Sequence, residues 1–260
     1  MSVATRARLA ELVAAEDMDL AEANLLIAAE ASPRLDAAAA LAEVDALAGA
    51  ARTEGVVPAL RDRGFRGDGD DYDNPRNSFL DQVLRRRRGL PIALATLTLA
   101  VARRVGHPMA GVGMPGHFVV ADLSGLEPVH LDPFDGWRSL STADLERIVR
   151  EITGLALRAE FLAPVSARAI LARTLANLRA SYLRRRMLED ALWTVEVGLI
   201  VAPGDAELSR ESVALLAGLG RYDEAEEAGE ALLASWPPDE ARAAVEAQLA
   251  AVRDLRRRMN

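Results

Sequence analysis

Cysteine and lysine are both absent from the 260-residue chain, and histidine occurs three times. Without cysteine there is no disulfide, no thiolate nucleophile and no soft metal site. Without lysine there is no side-chain amine for Schiff-base chemistry, and all 31 basic side chains are arginines. An excess of positive charge is missing too. The net charge of −8 argues against a general nucleic-acid binder, which needs clustered cations to neutralise phosphates. Long hydrophobic runs are also lacking. The least polar stretch, GLPIALATLTLAVA at 89–102, ends in Arg103 and Arg104 and is too short to span a bilayer. It reads as a buried helix. Acids among the apolar residues of the first twenty argue against a cleaved export signal, so a cytoplasmic protein with no membrane partner is expected.

What remains is half hydrophobic and about a quarter charged, ordinary for a globular chain long enough to bury a core. Three regions are expected. Residues 1–53 read as all-helical, with Leu9, Leu12 and Val13 at helical spacing and Asp19 placed to cap a second helix that Pro33 closes. Residues 54–162 change texture. RGFRGDGDDYDNPRNS is a loop in which Asp70, Asp71 and Asp73 lack calcium-loop spacing and read as turn formers. Asn77 or Ser78 is expected to cap a short helix, and Pro91 to open the apolar one. Beyond Gly106 the period shifts towards two, in MAGVGM, HFVVAD and PVHLDP, which predicts strands of one antiparallel sheet. The fold class is therefore α+β, a helix on a small sheet with helical flanks.

Residues 163–260 read as helical with an internal repeat. MLEDALWTVEVGLIVAP lies over RYDEAEEAGEALLASWP at a period of 34 residues, pairing Ala191 with Ala225, Leu199 with Leu233 and Pro203 with Pro237. That is the tetratricopeptide period, and LGRYDEA matches its core. Such arms bind peptides or partner domains, so a protein partner is expected there.

Chemistry concentrates in GMPGHFVVADLSGLEPVHLDPFDGW, residues 113–137, where His117 lies on one apolar segment and Asp132 on the next. A thiol hydrolase seats its nucleophile at the start of a buried helix, where the dipole favours the thiolate. A histidine then takes the proton and an acid orients the imidazole. The order helix start, His117, Asp132 resembles the transglutaminase-like superfamily. DNPRNSFLDQVLRRRRGLPIAL, RRVGHPMAGVGMPGHFVV and LDPFDGW, with the two helical flanks, resemble its SirB family over nearly the whole chain. The resemblance implies a papain-like helix-on-sheet middle domain and C-terminal tetratricopeptide repeats.

It also implies that His117 matches the superfamily's catalytic histidine and Asp132 its orienting acid, while the cysteine position falls at or beside Pro91. Proline offers neither a nucleophile nor an N–H. Some relatives carry Ser or Thr two positions later, where this chain has Ala93. Thr96 and Thr98 lie deeper in the helix, where bonding back to the preceding turn is the expected role for a hydroxyl. The expected protein is thus a non-catalytic transglutaminase-like module for interaction or ligand binding, with no cofactor. The rival is a hydrolase or acyl transferase using His117 and Asp132 with water, a metal or substrate assistance. A small anionic ligand could meet Asn77, Arg87, Arg88 and His117. A metal alternative would draw on His117, His130 and Asp132, because positions 130 and 132 of a strand share a face.

Overall fold

Short polar side chains start the first helices. The computed structural model describes residues 3–235 and 240–259. Helix α1 is Val3–Ala14, and Asp19 opens α2, Leu20–Ala31, by accepting from the backbone N–H groups of Ala21 and Glu22. Asp36 opens α3, Ala37–Glu54, in the same way through Ala39. Gly55, at φ +88°, turns the chain into α4, Val56–Arg61. A two-residue strand β1, Arg66–Gly67, precedes the acidic loop and a 3-10 turn at Pro75–Asn77. Then come α5, Leu80–Arg86, β2, Arg88–Gly89, and α6, Pro91–Val105. Strands β1 and β2 pair in parallel, Gly67 opposite Gly89.

Helix α6 is the centre of the first unit. From Pro91 to Ala102 it is apolar on every face and almost wholly buried, and Leu94, Leu97 and Val101 are fully enclosed. Each such leucine contributes about 1.5–3 kcal/mol over an exposed one. Helices α2 to α5 pack on α6, so the N-terminal helices, read from the sequence as a region of their own, cover its surface. The other side of α6 meets a four-stranded antiparallel sheet in the order β3, Met109–Val112, β4, Val119–Asp122, β5, Val129–Asp132, and β6, Arg138–Leu140. Its register pairs Ala121 with His130, and His130 with Leu140. The far layer, built on Val112, Met114, Val119 and Ala121, includes Leu145 and Val149 of α7, Thr142–Thr153. A 3-10 turn at Ala159–Leu162 leads into α8, Ala167–Arg184.

Three local expectations change. Helix α5 starts after Phe79 with no side-chain cap, and it is Asn74 that caps, accepting from the N–H of Arg76 in the 3-10 turn. Asn77 instead points inward and is fully buried. His117 is not on a strand. It follows Gly116, at φ +73°, in a turn closed by its own N–H on the carbonyl of Met114, and β4 begins two residues later. Finally β6 joins the sheet, its entry set by left-handed Gly136 and Trp137 rather than by any alternation three residues could display.

The chain divides into two compact units, residues 1–174 and 175–260. In the second, α9, Leu188–Val201, α10, Ala206–Gly218, α11, Tyr222–Ser235, and α12, Glu240–Met259, each pack on the next. Ala191 and Ala225 are both fully buried. Gly198 and Gly229 give the close approaches: a Cβ on either would lie 3.0 Å from Leu208 and Leu249 respectively. No helix of the described residues is long and apolar enough to cross a membrane.

Candidate functional site

The end of β5 and the turn before β4 bring two side chains together. His117 Nε2 lies 2.9 Å from Asp132 Oδ2, with both side chains largely buried. The second carboxylate oxygen, Oδ1, accepts the backbone N–H of Phe134 at 2.9 Å. The Asp132 carbonyl accepts the N–H of Trp137 at 2.7 Å. Asp132 is thereby locked by its own following loop. With an ionised Asp132 the proton sits on Nε2, and Nδ1 keeps its lone pair. Among the described residues Nδ1 has no hydrogen-bond partner. The imidazole is oriented through Nε2.

Two supports hold the loop after Asp132. Trp137 adopts φ +58°, unusual for a bulky residue and worth about 1–3 kcal/mol of strain, yet its indole is 3 % exposed and bonded to Thr98 on α6. Gly67 donates its N–H to the carbonyl of Phe134 at 3.1 Å. Because β1 also pairs with β2, just ahead of Pro91, one short strand connects the Asp132 loop to the opening of α6.

The start of α6 follows Leu90, whose N–H donates to the carbonyl of Asn77 at 2.8 Å. Pro91 occupies the first helical position, and no side chain caps the helix. Asn77 buttresses this start: its amide donates to Asp71 O at 2.7 Å and its carbonyl accepts from Arg86 at 2.8 Å. Arg86 continues to buried Asp68 at 2.7 Å. Arg88 pairs with Asp68 and Asp70, at 3.6 and 3.2 Å. Arg87, the left-handed C-cap of α5, pairs with Glu43 at 2.7 Å and stacks over the Phe65 ring at 4.5 Å. Asn77, Arg87 and Arg88 thus each have partners other than His117. Their charges and amides are engaged with acids and backbone at the base of α5 and α6.

His130 does not join the pair either. Among the described residues no three His, Cys, Asp or Glu side chains gather closely enough to hold a metal ion. Two residues along an extended strand are about 6.6 Å apart, so sharing a face with Asp132 does not by itself bring the imidazole into one coordination sphere. Burial instead lowers the His130 pKa and favours its neutral form.

Sequence reasoning missed the residue that holds the His117 turn. Arg173 of α8 donates from Nη2 to the carbonyls of Met114 and His117, each at 2.9 Å. Its guanidinium lies 5.4 Å from the centre of the Phe118 ring. Burial draws its pKa below the ordinary arginine value, and Tyr72 partly offsets that. Tyr72 in turn packs edge-on against Phe134, with ring centres 5.8 Å apart. Nothing local marks this arginine among the many of its region, because the turn it serves lies 56 residues away in sequence.

The geometry is a histidine–aspartate pair beside a sheet, with a helix opened by Pro91 nearby in the same fold. Compared with known families, residues 27–176 match the transglutaminase-like superfamily. The chain belongs to that superfamily. Its relatives include a UPF0162 protein of Xylella fastidiosa (strain 9a5c), 37 % identical over 153 residues, which are 57 % of this chain and 54 % of that protein. The UPF0162 protein PA3419 of Pseudomonas aeruginosa is 33 % identical over 211 residues, 74 % of this chain and 77 % of that protein. A shorter stretch is similar to F-box only protein 21 of Mus musculus, 44 % identical over 71 residues, 27 % of this chain and 11 % of that protein. The chain spans about half the length of the Xylella relative it matches. No solved structure matches it. Within the superfamily match lie the whole sheet, α6, the His117–Asp132 pair and Arg173.

Proposed function

We propose that this is a non-catalytic transglutaminase-like protein that uses the surroundings of His117 to bind a ligand or partner rather than to turn it over. One observation carries the reading: the His117–Asp132 pair is kept at 2.9 Å while the helix that would offer the nucleophile opens with Pro91, in a chain without cysteine. By the family resemblance, Pro91 stands at the position of the thiol, and a proline ring supplies neither an attacking atom nor an oxyanion donor. Orientation of an imidazole survives without the group it would deprotonate.

The second unit supports an interaction role of the SirB type. A 34-residue spacing with small, fully buried Ala191 and Ala225 at matched places fits tetratricopeptide packing, whose grooves take peptides or partner domains. The rival reading, hydrolysis or acyl transfer with water as nucleophile, draws on the unpartnered Nδ1 of His117.

Pro91→Cys protein decides between them, because it would carry a single thiol. If Pro91 stands at the nucleophile position, alkylation by iodoacetamide should report a thiol pKa well below the ordinary value of about 8.5. His117→Gln in the same background should move it back up. The unaltered protein should not turn over glutamine peptides or simple esters. Turnover that disappears in His117→Ala protein would overturn the non-catalytic reading.

A further inference from the structure

We propose that Arg173 is the anchor of a carboxylate-binding site beside His117, resting on the reading of that region as a binding rather than a reacting site. The cations that frame α5 and the ends of α6 are each answered by an acid. Arg86 and Arg88 meet Asp68, Arg87 meets Glu43, Arg103 meets Asp17, and Arg104 meets Asp19 and Asp45. Arg173 is different. Among the described residues no carboxylate lies within 4.0 Å of it, although it is half-buried.

Its geometry fixes what remains to be offered. Nη2 is spent on two carbonyl oxygens, which hold the guanidinium plane in place over Phe118. The N–H groups of Nε and Nη1 have no acceptor among the described residues, and neither nitrogen is a sealed orphan of the interior. A held, partly desolvated cation with unused donors is matched by an anion that supplies both charge and acceptors. Asp132 does not serve: it forms no hydrogen bond or ion pair with Arg173, and its carboxylate meets His117 and the Phe134 N–H instead.

A carboxylate fits better than a phosphate. One guanidinium supplies one positive charge, and Arg87 and Arg88, the nearest cations in sequence to the helix start, are neutralised elsewhere. The Phe118 ring lies 5.4 Å from the Arg173 guanidinium, so aromatic surface borders the site. The ligand class is therefore a monocarboxylate with an apolar substituent. It could be a free small acid or the terminal carboxylate of a peptide, which share that chemistry.

The experiment follows the side-chain Nε–H signal of Arg173 in nitrogen-15-labelled full-length protein, assigned by its disappearance in Arg173→Lys. N-acetyl-alanine and a tripeptide with a free C-terminus are the two carboxylate probes; N-acetyl-alanine amide and inorganic phosphate are the controls. A saturable shift with a free acid, absent with the amide and weaker with phosphate, is expected. Which of the two acids binds more tightly tells a small metabolite from a peptide end. Binding should survive Arg87→Met and Arg88→Met and be lost in Arg173→Met. Should Arg173→Met not fold, the wild-type shift with acid against amide still decides. A signal unmoved by either acid, or moved equally by phosphate or the amide, overturns the proposal. Neither result touches the thiol measurement at position 91, so the two readings fail separately.

Discussion

The indole N–H of Trp137 donates to the Thr98 hydroxyl across 3.0 Å, and that hydroxyl donates to the carbonyl of Leu94 at 2.7 Å. This buried relay ties the loop that follows Asp132 to the central helix. Two residues earlier on that helix, the Thr96 hydroxyl is equally buried but has no partner among the described residues. The two threonines should therefore respond oppositely to one change. Thr98→Val strands the Trp137 N–H and should cost about 1–3 kcal/mol. Thr96→Val removes an unsatisfied group at nearly constant shape and should be neutral or stabilising. Urea unfolding of both variants measures the contrast, and equal losses would remove the relay from the account.

Gly67 should tolerate no side chain. A Cβ there would stand 2.5 Å from the Phe134 ring and 2.6 Å from the Phe134 carbonyl. Gly67→Ala should cost about 1–3 kcal/mol by overpacking. It should also disturb the Phe134 N–H that holds Asp132, visible as a shifted His117 ring signal. Trimming Phe134 to alanine should not rescue the variant, because the backbone carbonyl is as close as the ring. Gly49, within α3, is the control: nothing lies within 4 Å of its added Cβ, so Gly49→Ala should gain about 0.5–1 kcal/mol in melting experiments.

The contrast between these residues shows what a sequence can disclose. Asp19 as a cap, Pro91 at the first turn of α6 and the three main strands act through neighbours a few positions away, so their patterns are visible in the chain itself. The pairing of His117 with Asp132 was legible because fifteen residues are one hairpin's length. Arg173, Gly67 and Tyr72 act on partners 56 or more residues distant, and no local rule selects them. The partners of Arg87 and Arg88 were hidden for the same reason. Their closeness to Pro91 in sequence said nothing of Glu43 and Asp68, which occupy them.

Acid should weaken the sheet at its far end. His107 Nε2 lies 2.9 Å from Asp122 Oδ2, and the Ser124 N–H donates to Oδ1. Burial of the Asp122 carboxyl opposes ionisation, but the bonds from Ser124 and His107 outweigh it, and the pKa falls below the ordinary value. A lowered folded-state pKa stabilises the fold above the unfolded value of about 3.9, and this is lost as pH drops through the folded value. For a partly exposed pair the effect should stay within about 1 kcal/mol. Asp122→Asn should therefore be less stable than wild type at neutral pH, with the gap closing below about pH 4. Denaturant titrations across that range check it, and a constant gap would assign the loss to something other than ionisation.

The helical arm offers a test independent of the site. Ala225 is matched with Ala191 across the 34-residue spacing, and both are fully buried. The Ala225 N–H donates to the carbonyl of Arg221 at 3.0 Å within the first turn of α11, so the backbone there is fixed. Helix α11 packs between α10 and α12, and Gly229, one turn on, already lies close against Leu249. Four carbons separate a leucine from a methyl-free position, and three of them would be new at 225, a position with no exposed surface. Ala225→Leu should cost about 1–3 kcal/mol through displaced helices, whereas Ala225→Ser, nearly the same size, should cost less unless its hydroxyl finds no acceptor. Because the strain is confined to residues 175–260, hydrogen exchange should quicken in α10 to α12 while the amides of α6 keep their protection. Unchanged exchange in α10 to α12 would mean that position 225 is not a packing contact and that the repeat spacing carries no structural weight.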